Sequence, residues 1–230
     1  MARELQCAAA LLVISASLPA AAAAAPLAAP PNSAANIFAA TNGPNMLGTL
    51  ALPIKATRFD AYLARARQDA STSPMLQRMI APARGLPAVQ QLAFVQRTVS
   101  SSIRWVSDTT QWGQHEYWAS ASQTLARGAG DVEDRAIVKL QALRALGFRS
   151  SDLFLTLARD KVGGPITVLT ARLGGRYYVL DDTGGAPFLA EQRRNELQPA
   201  MSFGMYGAWI HVRPATIASA KTAQGFAARK

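Results

Sequence analysis

The spacing of the apolar residues changes once along this chain, near Ser151, and that change decides the class of fold. Before it, apolar side chains recur at the three- and four-residue intervals of amphipathic helices. "LPAVQQLAFVQRTVSSSIRWVSD" sets Val89, Leu92, Val95, Val99 and Ile103 on one face, which predicts a helix from about Pro87 to Ile103. "DVEDRAIVKLQALRALGF" does the same with Ile137, Leu140, Leu143 and Leu146, and Gly147 supplies the stop. Shorter helices are predicted in "TRFDAYLARARQDA", capped by Thr57, in "SPMLQRMIAPARG", with Pro74 near its start, and over Ser120 to Arg127. After Ser151, "DLFLTLARD", "PITVLTARL" and "RYYVLDD" are short, apolar and β-rich, and Gly174–Gly175 signals a hairpin. "MSFGM" and "GAWIHVRP" read as two more strands, and "MLGTLALPI" as an extended segment packed on the domain. Helices first and antiparallel strands second argue an α+β fold.

The two ends read differently from the middle. "MARELQCAAALLVISASLPAAAAAAPLAAPP" has a short basic start, an apolar run from Cys7 to Leu18, and an alanine tract with A-x-A sites. This pattern predicts a secretory signal peptide over residues 1–25, cleaved between Ala20 and Ala25. The protein is then expected in the periplasm or outside the cell, touching a membrane only through that segment. Residues 26–45, rich in Ala, Pro, Asn and Ser, read as a flexible linker; residues 46–215 as one domain; residues 216–230 as a tail. The one cysteine, Cys7, lies within the signal region. Its removal excludes disulfides, thiolate metal sites and a cysteine nucleophile from the mature chain. The formal net charge is +10, but the Lys and Arg are scattered. That favours polyanions in general; no stacking motif or basic helix singles out nucleic acid, and no nucleic-acid partner is predicted.

The stretch "RGAGDVEDRAIVKL" has an unusual helix start, with Val132 set among Asp131, Glu133 and Asp134. In a thiol protease a cysteine occupies such a start, where the helix dipole stabilises a thiolate. A histidine on a nearby strand takes its proton, and a carboxylate on the next strand orients the histidine.

"YWASASQTLARGAGDVEDRAIVKLQALRALGF" resembles the active-site block of the bacterial transglutaminase-like cysteine peptidases. In that family the block reads approximately D-Y-W-A-x-x-x-E-T-L-x-x-G-x-G-D-C-E-D-Y-A-I-A-K. This chain keeps Tyr117, Trp118, Thr124, Leu125, Gly128, Gly130, Asp131, Glu133, Asp134, Ala136, Ile137 and Lys139. "IRWVSDTTQWG" is similar to the family's lead-in, I-R-Y-x-x-D-x-x-x-x-G, and "ITVLTARLGGRYYVLDD" to its H-A-V-L-x-V-R-x-x-G-x-x-x-V-L-D-N. The resemblance spans roughly Met46 to Arg213. It implies a papain/transglutaminase-like core, in which an N-terminal helical lobe packs on an antiparallel β-sheet. Some family members are periplasmic proteases that release biofilm adhesins from the cell surface.

The departures from the family pattern fall on its chemistry. Val132 stands at the nucleophile position and Ile166 at the histidine position; only the third member, Asp181, is kept. Val132 has no nucleophilic atom and Ile166 cannot carry a proton, so the resemblance implies an inactive pseudoenzyme. Arg135 stands where the family usually has tyrosine, and Asp182 where it usually has asparagine. In the adhesin-cleaving members the acids at Asp131 and Glu133 bind calcium, so calcium is the one cofactor implied; as caps, the same acids also suit a helix N-terminus. Asp181 is expected to bond backbone at a strand end or to pair with an arginine such as Arg135. Among alternative reacting groups, His115 and His211 read as surface or packing residues, and Ser120 and Ser122 lie off the nucleophile position. Trp112, Tyr117 and Trp118 are expected to form an aromatic wall between the lobes. The implied partner is a protein or peptide: an adhesin-like substrate, or a regulator of an active relative. Two alternatives stay open here: a basic envelope-associated module that binds polyanions, and a hydrolase with an unrecognised nucleophile.

Overall fold

The computed structural model describes residues 43–214. The segments read as signal peptide and tail, and nearly all of the one read as linker, lie outside the described residues. Among the described residues there are six α-helices: α1 (Asp60–Ala66), α2 (Pro74–Ile80), α3 (Ala88–Ser102), α4 (Asp108–Trp112), α5 (Ala121–Arg127) and α6 (Val132–Ala145). The strands are β1 (Leu50–Ile54), β2 (Arg104–Trp105), β3 (Ala129–Gly130), β4 (Leu153–Arg159), β5 (Pro165–Leu173), β6 (Arg176–Leu180), β7 (Phe188–Leu189), β8 (Gln198–Phe203) and β9 (Ala208–Val212). Seven of them form one sheet in the order β1-β9-β8-β4-β5-β6-β7, antiparallel at every pairing. The other two, β2 and β3, make a short parallel ribbon. The α+β architecture read from the sequence is the one observed. No helix among the described residues is long and apolar enough to cross a membrane.

Alternation along the strands separates two apolar clusters, one on each face of the sheet. On one face, Leu153, Leu155, Leu169, Ala171, Leu180 and Phe203 pack with Leu92, Val95, Val99, Ile137 and Leu143 from the helices. On the other, Val168 and Val179 pack with Met46, Leu47, Ala190 and Leu197. Burying each large aliphatic side chain stabilises the fold by roughly 1.5–3 kcal/mol. A polar ladder also crosses the sheet. Thr170, Thr156, Ser202, His211 and Thr49 are joined by side-chain hydrogen bonds of 2.7–2.9 Å. The His211 imidazole is held well below its ordinary pKa, at about 4, because burial disfavours its charged form.

α6 is the central helix. Every residue from Asp134 to Leu143 is buried, because β4 and β5 cover one side while α3 and α5 cover the others. A one-sided apolar stripe therefore understates it, and its buried polar residues have to find partners. Gln141 donates to the Ala66 carbonyl at 2.8 Å and Lys139 donates to the Asp181 carbonyl. Other local readings shift. Val89 is 48% exposed and lies off the buried face of α3. Thr57 is not the cap of α1, which begins at Asp60; its hydroxyl instead donates to Asp60 at 2.8 Å and accepts from the Phe59 N–H, fastening the turn before the helix. α4, β7 and the β2–β3 ribbon were too short to leave a periodic signal.

Candidate functional site

The first turn of α6 faces the start of β5. Asp131 is the N-cap, and its carboxylate accepts from the Asp134 N–H at 3.2 Å. Val132 is the first helical residue; it is half-buried and joins neither apolar cluster. The strand side chain that reaches this turn is Thr167, whose hydroxyl donates to Glu133 at 2.5 Å. Ile166, one residue earlier, turns to the opposite face and packs on the cluster around Val168 and Val179. The structure thus places Val132 beside the helix cap and Ile166 across the sheet from it, without joining the two.

A carboxylate cluster lies under the helix cap. Oxygens of Asp108, Asp131 and Asp134 all lie within 4.8 Å of one another. Asp108 enters from the N-terminus of α4, where its other oxygen accepts from the Tyr117 N–H at 2.5 Å. Asp134 accepts from the Ala119 N–H at 2.7 Å. Oδ1 of Asp108 and Oδ2 of Asp134 are buried and accept from no donor among the described residues. Burial first, and the neighbouring Glu133 carboxylate next, push Asp131 up to about 8; burial pushes Asp134 up to about 7. Asp108 and Glu133 are raised too, mainly by burial. Gly130 leaves room for this arrangement, since a Cβ there would stand 2.6 Å from that of Asp134. Buried acids with unused oxygens and mutually raised pKa values suit a hard divalent cation, which takes oxygen ligands and relieves the repulsion. The residues fit calcium. Of the two acids that the resemblance implies for calcium, Asp131 lies in the cluster and Glu133 is engaged by Thr167. Asp108 and Asp134, the other members of the cluster, were not singled out as metal candidates in the sequence, although Asp108 is the acid of the "IRWVSD" lead-in.

The end of β6 is organised differently. Asp181 is buried, and its Oδ1 accepts from Gln96 Nε2 at 2.9 Å, from the Thr183 hydroxyl at 2.7 Å and from the Thr183 N–H at 3.1 Å. It bonds backbone at a strand end, as expected, but its neighbour takes the arginine. Arg135 Nη1 lies 2.8 and 2.7 Å from the two carboxylate oxygens of Asp182, and its Nε donates to the Ile103 carbonyl at 3.0 Å. The two lesser departures from the family pattern therefore form an ion pair with one another. That pair ties α6 to the end of α3 and to the strand that carries Asp181.

The remaining candidates have structural surroundings. Ser120 is the N-cap of α5, with Gln123 completing a reciprocal capping box, while Ser122 is exposed. His115 is exposed in the loop before Trp118, and His211 belongs to the cross-sheet ladder. Trp118 packs between helix and sheet, with its ring centroid 5.6 Å from Phe59 and 6.1 Å from Phe203. Trp112 stands apart from that wall, packed on Tyr117 at 4.3 Å with the rings tilted by 31°, and with the Arg127 guanidinium 4.0 Å from its ring.

A helix N-terminus set against an antiparallel sheet, with an acid closing the neighbouring strand, is the framework of a thiol peptidase. The chain belongs to the bacterial transglutaminase-like cysteine proteinases (BTLCP), whose family model matches residues 54–191. Among solved structures it is similar to Legionella pneumophila LapG, at 24% identity over 62% of this chain and 78% of that one, with a TM-score of 0.51. The calcium-bound form of that protein aligns at 24% identity over 67% of this chain and 88% of that one, with a TM-score of 0.52. Its EGTA-treated form aligns at 23% identity over 69% and 87%, with a TM-score of 0.51. No curated protein sequence matches the chain.

Proposed function

We propose that this chain is an exported, catalytically inactive member of its family. It binds a protein or peptide partner in the periplasm, at the groove where active members cut. The observation that carries the reading is the pairing of lost and kept features at one helix start. Val132 supplies no nucleophile at the helix start, and Ile166, turned to the other face of the sheet, supplies no base, yet the carboxylates of Asp108, Asp131 and Asp134 are gathered beside Val132. Calcium is the proposed ligand of that cluster, supported by its unused buried oxygens and by the calcium-bound and EGTA-treated forms in which the similar LapG was solved. When bound, the ion neutralises the three carboxylates and ties α4 to the first turn of α6. The partner is an adhesin-like peptide or a regulator of an active relative.

The test is a peptidase assay on the purified mature protein in calcium and in EGTA, with cross-linking from a photoreactive residue at position 132. The expected result is no cleavage in either condition, and a cross-linked partner from periplasmic extract that weakens in EGTA. Cleavage that persists in a metal-defined sample overturns the inactive reading. Capture that tracks only salt, and ignores the cross-linker's position, would favour a polyanion-binding surface driven by the +10 charge.

A further inference from the structure

We infer that the free edge of the β2–β3 ribbon, centred on Trp105, is a docking strand for an extended acidic peptide; this rests on the partner-binding reading above. The hydrogen bonds of the ribbon fix which side of β2 is free. Arg104 N–H donates to Gly128 at 2.9 Å and Val106 N–H donates to Gly130 at 3.2 Å. Residues two apart on a strand point their backbone groups the same way, so the N–H and C=O of the intervening Trp105 point away from β3. They have no partner among the described residues. Such an edge is a template for another strand.

The side chains say what kind of strand fits. Trp105 is 55% exposed, and the residue registered opposite it is Gly130, so no side chain of β3 covers the indole. Gly130 cannot be larger without meeting Asp134, which keeps the indole uncovered. An accessible tryptophan beside free backbone groups is the usual anchor of a peptide interface. Its position is also informative, because Gly130 is two residues before Val132 in the chain. A peptide paired along Trp105 therefore runs one strand away from β3, whose chain continues into the helix start. The charge there is positive on the outside. Arg104 is exposed on the same strand, and Arg127 is exposed immediately before Gly128, with Trp112 beneath its guanidinium. The acids Asp108 and Asp134 are turned inward and buried, the half-buried Asp131 and Glu133 accept from the Asp134 N–H and the Thr167 hydroxyl, and the exposed Glu116 accepts from the Trp118 indole. The edge strand thus offers a cation, Arg104, and an apolar plate, Trp105, on alternate faces, with Arg127 adding a second cation from the β3 side of the ribbon; together they select alternating acidic and apolar residues.

The experiment titrates a fluorescein-labelled, end-capped EVEVEVE peptide into the mature protein, read by anisotropy at physiological salt. Binding is expected, with a loss of about tenfold or more in Trp105→Ala and in the double variant Arg104→Glu, Arg127→Glu. N-methylating the central valine removes one backbone donor without changing charge or composition, and is expected to cost at least as much. Circular dichroism and melting establish that the variants fold. Equal binding of the N-methylated peptide, displacement by polyphosphate with no effect of N-methylation, or an unaltered affinity in Trp105→Ala each overturns the edge. Equal binding of KVKVKVK overturns the acidic class. A partner that still cross-links at position 132 in Trp105→Ala leaves the groove reading standing while this one falls; loss of cross-linking in the parent protein removes both.

Discussion

The start of α6 and the end of β6 both gather acids and treat them in opposite ways. At the start of α6, Asp108, Asp131 and Asp134 crowd together with no cation of the protein among them, and two of their oxygens are unused. At the end of β6, Asp182 is held by Arg135, while Asp181 accepts from Gln96 and Thr183. Buried charge is costly unless it is paired. The β6 end is closed by side chains of the protein itself, whereas the α6 end leaves its carboxylates to be neutralised by protons or by a cation. The difference separates acids that the protein's own side chains partner from acids left with unused oxygens.

The largest expected effect comes from breaking the closed end. Arg135→Ala leaves Asp182 and the Ile103 carbonyl without their partner and should cost about 3–5 kcal/mol in a urea titration. The double variant Arg135→Tyr, Asp182→Asn places there the residues usual in the family. It should cost less than Arg135→Ala alone, because neither charge is left unpaired. Simple additivity of the two single changes would show that the pair is incidental to this end's construction.

The open end should respond to a cation, and the closed end should not. At a calcium concentration a hundredfold above Kd, ligand binding adds about 2.7 kcal/mol of stability. Asp134→Asn should abolish the calcium-dependent rise in melting temperature. In EGTA at pH 8 the same variant should melt no lower than the parent, since it removes a charge that repels its neighbours. A melting temperature identical in calcium and EGTA would mean that the cluster is a neutral, proton-sharing cap rather than a cation site.

The pH dependence sharpens the same contrast. Asp131 and Asp134 have folded-state pKa values of about 8 and 7, raised above their ordinary value of 3.8. The folded state then holds protons that the unfolded chain has released, so their contribution is present below about pH 4 and is lost as the pH rises through 7 and 8. His211 works in the opposite sense, because its folded value of about 4 lies below the ordinary 6.5. Its contribution is present above 6.5 and lost as the pH falls toward 4. Between pH 6.5 and 8 only the acids of the cluster carry the slope among these three groups. In EGTA, stability should fall across that window. Calcium, or the double variant Asp131→Asn, Asp134→Asn, should flatten it.

Much of this architecture is legible in the sequence, and the parts that are not have physical reasons. The long helices and paired strands repeat a period over enough residues to be read. α4 and the β2–β3 ribbon are too short for any period, yet they bring Asp108 to the cluster and Trp105 to the surface. The helix-start block marks Asp131 and Val132 directly, because cap and nucleophile positions are local. The ion pair of Arg135 with Asp182 joins residues 47 apart, and only the packing of α6 on the sheet decides that Asp182 rather than Asp181 receives the guanidinium. The facing of Ile166 is a matter of strand register. A one-residue difference exchanges it with Thr167, and nothing in "PITVL" states which of them looks at α6.

The smallest expected effect tests where the boundary between the two ends runs. Glu133 belongs by resemblance with Asp131 as a calcium ligand, but its carboxylate accepts from Thr167 on β5. Thr167→Val removes that hydroxyl while keeping the shape of the side chain, and should cost about 1 kcal/mol, the net worth of one ordinary hydrogen bond. If Glu133 serves mainly to fasten the helix start to the strand, the calcium-dependent gain in melting temperature stays as in the parent. If the gain changes by more than the loss in basal stability accounts for, Glu133 exchanges between Thr167 and the ion. The cation site then extends across the groove to β5, and the open end includes the strand that carries the old histidine position.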